Sequence, residues 1–345
     1  MAAWHNWCFV DRIGGLIWRM APNLEPHTVT NSPDILCIGD LDVDLFISLP
    51  AIPGFDQKVS GKHLGQKPGG MSANAAVAMT RLGRPARLLA AVGDDHAGEE
   101  ALKQLAAVGV DTGFIAVRPG SKTFMCVILV SPSGEKSLIR LETDAYLPRP
   151  GDIIPAVLRG IKHMHLTYGN AALTLHALEM ANEHGIRTSL DLEPPDIRRA
   201  PEHLTRMLGL VDTLFLNSEA FDAASEVLGG VLSTNLLRPG GEIIVTMGAA
   251  GCRRLFGNDL IEVPGFKVDA VDTTGAGDCF AGAYLASRRT DADPRDALIF
   301  ANAAAALATL DFGAQAALPE RGAVETLLRD NHQPRSNTIT ESINA

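Results

Sequence analysis

Asp272-Thr273-Thr274-Gly275-Ala276-Gly277-Asp278 runs without a break into Cys279-Phe280-Ala281-Gly282-Ala283-Tyr284-Leu285, and the rest of the chain is best read outward from this stretch. The second half is an apolar helix pattern, and the first half is a turn of small residues that opens it. Amides in the first turn of a helix have no intrahelical acceptor and lie at the positive end of the helix dipole. Gly275, Ala276 and Gly277 therefore let backbone N–H groups come close to an anion. Asp278, in the same turn, would repel that anion, so its use is to accept a proton from an attacking hydroxyl. The helix start is expected to favour its ionised form. Taken alone, an ordinary Gly-rich helix start with an acidic first turn accounts for the same residues equally well.

On either side, apolar runs suited to buried strands alternate with helical patterns. Strands are expected at 34–38, 86–92, 163–167, 187–192, 213–216 and 243–246. Helices are expected at 73–82, 97–108, 171–184, 201–208, 218–228, 276–288 and 294–310. Such alternation implies an α/β fold, a doubly wound and mostly parallel sheet flanked by helices. Ligands of these sheets bind beyond the carboxyl ends of the strands. Two segments break the rhythm, about 45–65 and 120–142, the second reading as two strands around Ser131-Pro132-Ser133-Gly134. Together they predict a small β-sheet lid, which suits a reaction that must exclude water. The expected organisation is an N-terminal extension over 1–31, with Met20 as the natural start, a domain over 32–330, and a polar tail over 331–345.

A second Gly-rich helix start, Gly69-Gly70-Met71-Ser72-Ala73-Asn74, would let a polyol approach the backbone, and Asn74 offers it both a donor and an acceptor. A capped turn with Ser72 as the cap is the plainer reading. The chain has 345 residues and a formal net charge of −10, with no basic block for nucleic acid. No apolar run is long enough to span a bilayer. Five scattered cysteines without paired spacing suggest reduced thiols and a cytoplasmic protein. His163 and His165 alternate on a strand with no third ligand spaced to match, so they read as core histidines.

Together the two Gly-rich motifs resemble the two signatures of the ribokinase/PfkB carbohydrate kinase family, and the likeness extends from about Asp34 to Pro319. It implies a ribokinase-like fold, with ATP and Mg²⁺ as donor and metal and a sugar or sugar derivative as acceptor. Asp278 would be the base, within an anion hole of Gly275, Ala276 and Gly277. The resemblance also implies substrate contacts at Asp42, Asp44, Gly69, Gly70 and Asn74. Arg140, on the second lid strand, is a further substrate candidate, for an anionic sugar, while Lys58, Lys62, His63 and Lys67 read as solvated lid residues. Thr246-Met247-Gly248-Ala249-Ala250-Gly251 resembles the nucleotide loop, and Asn302 lies on the helix expected beside the adenine. Asn217 matches the start of the family's Asn-x-x-Glu motif, but Ala220 stands in its fourth position, so the Mg²⁺ ligands are not assigned. Asp272, Thr274 and Gly313 suggest a monovalent-cation loop, with K⁺ as the ion. The lid of this family often mediates a homodimer.

Other readings compete. A nucleoside kinase of the same family would prefer an aromatic-lined site, yet aromatic residues make up 5% of the chain. A non-catalytic sugar or nucleotide sensor on the same fold would have no need of Asp278. Gly61-Lys62 lacks the Ser or Thr and the spacing of a P-loop. Phe280 stands where a dinucleotide fingerprint would need a third glycine.

Overall fold

A computed structural model of the chain describes residues 32–132, 135–288 and 293–331. The first 31 residues, Ser133-Gly134 in the expected lid turn, and the tail from 332 lie outside the described residues. Fourteen strands and nine α-helices follow one another here. They are β1 (Ile35–Ile38), β2 (Asp42–Ser48), β3 (Lys62–Gly69), α1 (Met71–Arg81), β4 (Ala86–Leu89), β5 (Ala91–Gly93), α2 (His96–Val108), β6 (Ala116–Arg118), β7 (Met125–Val130) and β8 (Lys136–Leu141). Next come β9 (His163–Thr167), α3 (Ala171–Glu183), β10 (Arg187–Leu192), α4 (Pro194–Arg199), α5 (Leu204–Leu208), β11 (Thr213–Asn217) and α6 (Ser218–Leu228). The chain closes with β12 (Glu242–Thr246), β13 (Cys252–Phe256), β14 (Asp259–Val263), α7 (Ala276–Ser287), α8 (Pro294–Ala308) and α9 (Arg321–Asp330).

Eight strands form the main sheet in the order β14-β13-β12-β11-β10-β9-β1-β4. It is parallel from β4 to β12 and antiparallel at the β13–β14 end. The side-chain period of two sorts each strand between two cores. Ile35, Cys37, Phe215 and Ile244 point into a core shared with α1, α7 and α8. Leu36, Ile38, Leu214, Leu216 and Val245 point into the opposite core, under α3 and α6. The strand order reverses at β1, which lies between β4 and β9, so the crevice of a doubly wound sheet opens at its carboxyl end.

A four-stranded sheet, β3-β2-β7-β8, grows from that point. Only Gly39 to Leu41 separate β1 from β2. Phe46, Phe124, Cys126 and Ile128 form its small core, against Phe312 and Tyr146. Ile139, Leu141 and Leu64 stay exposed.

Some elements differ from the expectation. The single strand expected at 86–92 is two, because the chain leaves the main sheet after Leu89 and pairs β5 with β6. Helix α1 starts two residues early, with Gly70 as N-cap. Ser72 is therefore inside the helix, and its hydroxyl bonds Thr167 Oγ1 at 2.6 Å instead of capping. No helix among the described residues is long and apolar enough to cross a membrane.

Candidate active site

A cleft of about 550 Å³ opens where β1, β10, β11 and β12 end, under the small sheet and beside the start of α7. Asp40, Asp42, Asp44, Gly70, Asn74 and Arg140 line one part of it, and Asn217, Thr246, Gly248, Gly275, Gly277 and Asp278 the other. A larger cleft lies at the amino ends of the strands, lined by Asp34, Arg84, Asp212 and Arg254. Its Arg84 pairs with Asp34 and its Arg254 with Glu242.

Asp278 occupies the first turn of α7 and is 7% exposed. Asn74, from α1, donates its Nδ2 to Asp278 Oδ2 at 2.8 Å. The two Gly-rich helix starts, 204 residues apart in sequence, thus meet at one carboxylate. The Ala276 amide bonds Thr273 O and the Cys279 amide bonds Gly275 O. Those of Gly277 and Asp278 have no partner among the described residues. Gly275 adopts φ +77°, and a side chain there would collide with Ala314. A Cβ on Gly277 would meet open space.

The ionised form of Asp278 is not favoured, contrary to the expectation from the helix start. Burial raises its pKa well above the ordinary carboxylate value. The Asn74 hydrogen bond works the other way, and the charges of Asp191, Asp40 and Glu193 push it further up. Asp191 itself is raised to about 7 by burial, then by Glu193 and Asp196. Glu193 is raised by burial and then by Asp40. A helix dipole weighs less here than desolvation and several like charges.

The acids after β1 form a second group. Burial, then Asp44 and Asp40, raise Asp42. Burial, then Asp40 and Asp272, raise Asp44 to about 7. Gly69 lies against both carboxylates, and any Cβ there would clash with them. The Asp42, Asp44 and Cys126 ligand atoms lie within 4.8 Å of one another. The trio fits a metal poorly: Cys126 donates its thiol to Asp42 Oδ2 at 3.3 Å, and burial holds that thiol protonated. Asp42 Oδ1 and Asn74 Oδ1 are buried and accept no hydrogen bond.

Arg140 reaches the cleft, donating to Tyr146 Oη and pairing with Glu142 at 3.2 Å. Its guanidinium lies 5.6 Å from the Phe124 ring centroid and 4.9 Å from that of Tyr146. On the opposite wall, Asn217 caps α6 by accepting the Ala220 amide at 2.7 Å, and the Thr246 hydroxyl donates to Leu216 O at 3.4 Å. Gly251 and Asn302 are not brought onto the cleft wall. Gly251 packs against Val263 and Gly265. Asn302 Nδ2 donates to Val263 O and Pro264 O, each at 3.2 Å. Gly69, Ala276, Asp272 and Gly313 likewise stand just behind the wall. Glu219, one position before Ala220, turns to Arg198 at 3.4 Å.

Asp40, Asp191, Glu193, Tyr146 and Lys136 were not singled out from sequence. Asp191 and Glu193 were legible in principle, as acids at the carboxyl end of an expected strand. His163 and His165 share Ser189 Oγ at 2.8 Å each inside the sheet, as core histidines.

A doubly wound sheet, an acid at a Gly-rich helix start and a second acid group under a small sheet define a kinase of small hydroxyl-bearing molecules. The model of the pfkB family carbohydrate kinases matches residues 32–321, and the chain belongs to that family. It is 30% identical over 300 residues to an ATP-dependent ribose-1-phosphate kinase of Halopiger xanaduensis, covering 86% of this chain and 98% of the relative. A fructokinase of Klebsiella pneumoniae is 31% identical over 309 residues, covering 83% and 96%. Among solved structures, fructokinase with bound ATP from Xylella fastidiosa superposes with a TM-score of 0.74 at 26% identity, over 87% of this chain and 99% of that one. The chain is a carbohydrate kinase with a ribokinase-like fold.

Proposed function

We propose that this kinase transfers the γ-phosphoryl group of ATP to a hydroxyl of a sugar held between Asp42, Asp44 and Asn74, with Asp278 as the base. One observation carries the reading. Two buried acceptors, Asp42 Oδ1 and Asn74 Oδ1, lack donors, and a polyol supplies O–H donors where buried acceptors need them. Asn74 joins the two halves of the reaction, since its amide touches Asp278 while its carbonyl awaits a hydroxyl.

Asp278 accepts the hydroxyl proton as the oxygen attacks phosphorus. The O–P bond to the sugar forms, the bond to the β-γ bridging oxygen breaks, and ADP leaves. The unpartnered amides of Gly277 and Asp278 hold the transferring group's oxygens, and the open space at Gly277 admits them. Asn217, Thr246 and Gly248 form the nucleotide side of the cleft, while Gly251 and Asn302 support that loop from behind. Asp191 and Glu193 fit a hydrated Mg²⁺, because burial and acidic neighbours raise both carboxylates, with Arg140 alone acting the other way on Glu193 and no cation acting on Asp191. When bound, the ion neutralises phosphate charge. Arg140, already partnered, forms a wall of the sugar pocket. A second copy of the chain covers the apolar outer face of β8, joining the subunits through the small sheet.

The test is a coupled ADP-release assay with ATP and Mg²⁺ across neutral sugars, sugar phosphates, sugar acids and nucleosides. A sugar should turn over in the wild type and fail in Asp278→Ala. Turnover of nucleosides alone, or ATP binding with no turnover of any compound, would overturn the reading.

A further inference from the structure

The monovalent cation suggested for Asp272, Thr274 and Gly313 does not fit what stands there. Lys136, on β8, donates from Nζ to Asp272 Oδ1 and to Thr274 Oγ1, the latter at 3.0 Å. The Thr274 amide reaches the same Asp272 oxygen at 2.9 Å, and Oδ2 accepts the Gly313 amide at 3.0 Å. The carboxylate is 1% exposed. Burial would raise its pKa, yet the Lys136 ammonium, the Thr274 hydroxyl and amide and the Gly313 amide together hold it below the ordinary value. Every face of the acid therefore has a donor, and a free cation added beside Lys136 would meet a like charge.

A second lysine repeats the contact next to it. Lys67, on β3, donates to Phe312 O and lies 5.0 Å from the Phe312 ring centroid, while Lys136 lies 5.7 Å from the same ring. Strands β3 and β8 are the two edges of the small sheet. One ammonium from each edge reaches the pair of turns that Gly313 and Asp272 join. Thr273 to Gly275 then lead directly into the first turn of α7.

We propose that Lys136 is a built-in monovalent cation, a positioning residue whose ammonium fixes the 272–274 turn ahead of the anion hole and frees the enzyme from any need for K⁺. An ammonium and K⁺ carry the same charge, have similar size and both bind oxygen. The tether makes the ammonium permanent and couples the turn to the seating of the small sheet. The role rests on the phosphoryl-transfer reading above.

The experiment compares the full-length wild type with Lys136→Ala in tetramethylammonium buffer, then titrates KCl, NH₄Cl and choline chloride. Wild-type turnover should change less than about twofold with K⁺. Lys136→Ala should lose roughly 10²-fold in kcat, the scale set by misplaced reacting groups, and recover with K⁺ or NH₄⁺ but not choline. Activation of the wild type about tenfold by K⁺ would overturn the proposal, as would a loss in the variant that no small cation restores. Thermal unfolding of both proteins in the same salts gives a readout without turnover. K⁺ should raise the midpoint of Lys136→Ala above the choline control and leave the wild type unmoved. If the wild type turns over no sugar, the kinase reading fails, while the unfolding shift still decides the role of Lys136.

Discussion

A carboxylate that removes a proton must itself have lost one. Burial and its acidic neighbours raise Asp278, so the acid limb of kcat/KM should lie above the ordinary carboxylate range. Activity should rise with pH through that limb, because only the ionised form accepts the hydroxyl proton. A pH–rate profile with saturating ATP checks it, and a flat profile down to pH 4 would contradict the assignment. Asp278→Asn keeps the shape and the Asn74 contact side but removes the base, and kcat should fall at least ~10²-fold with ATP binding kept, as calorimetry would show. Asp278 and Asn74 were both legible because each sits at a Gly-rich helix start, a local pattern. Lys136 was not, since its meaning depends on Asp272, 136 residues away in sequence. The ionisation state of Asp278 was misread for the same reason: the helix dipole is local, whereas Asp40, Asp191 and Glu193 arrive from other strands.

The strands of the main sheet were readable because burial on both faces writes continuous apolar runs. The small sheet was harder. Strand β3, Lys62–Gly69, carries little apolar pattern, and only its antiparallel pairing with β2 makes it a strand. The hairpin β13–β14 and the break after Leu89 were also missed, because both depend on partners rather than on propensity. Strand β8 is exposed along its whole length. Leu138 lines the cleft, and alternation places Ile139 and Leu141 on the opposite face. If a second copy covers that face, replacing Ile139 and Leu141 by Lys should convert a dimer to a monomer in sedimentation velocity. The folded spectrum should remain, and an unchanged sedimentation coefficient would remove the small sheet from any interface.

Across the molecule, unoffset acids set a pH dependence of stability. Asp191 is raised from 3.8 to about 7 in the folded chain. Its contribution is therefore complete below pH 4 and is lost as pH rises through 7. Buried neutral His163 and His165 are lowered, mainly by desolvation, so they act in the opposite direction and would mask a simple pH–stability curve. Asp191→Asn isolates the acid. Its stability relative to the wild type should grow between pH 4 and 7 and level off above that at about 4 kcal/mol, measured by urea unfolding without metal. Added Mg²⁺ should narrow that gap by stabilising the wild type, and a gap that ignores both pH and metal would contradict the charge account.

The order in which the chain is synthesised gives the Asn74–Asp278 contact a further meaning. A ribosome completes Asp42, Asp44 and α1 long before it delivers α7, which packs on α1 and carries Asp278, the proposed base. The turn that fixes the phosphate end waits longer still, for Gly313. A nascent or truncated chain ending before residue 270 holds a bare nest of carboxylates and an uncovered apolar helix. The proposed site is thus assembled in chain order, its acids first, Asp278 later and the Gly313 contact last.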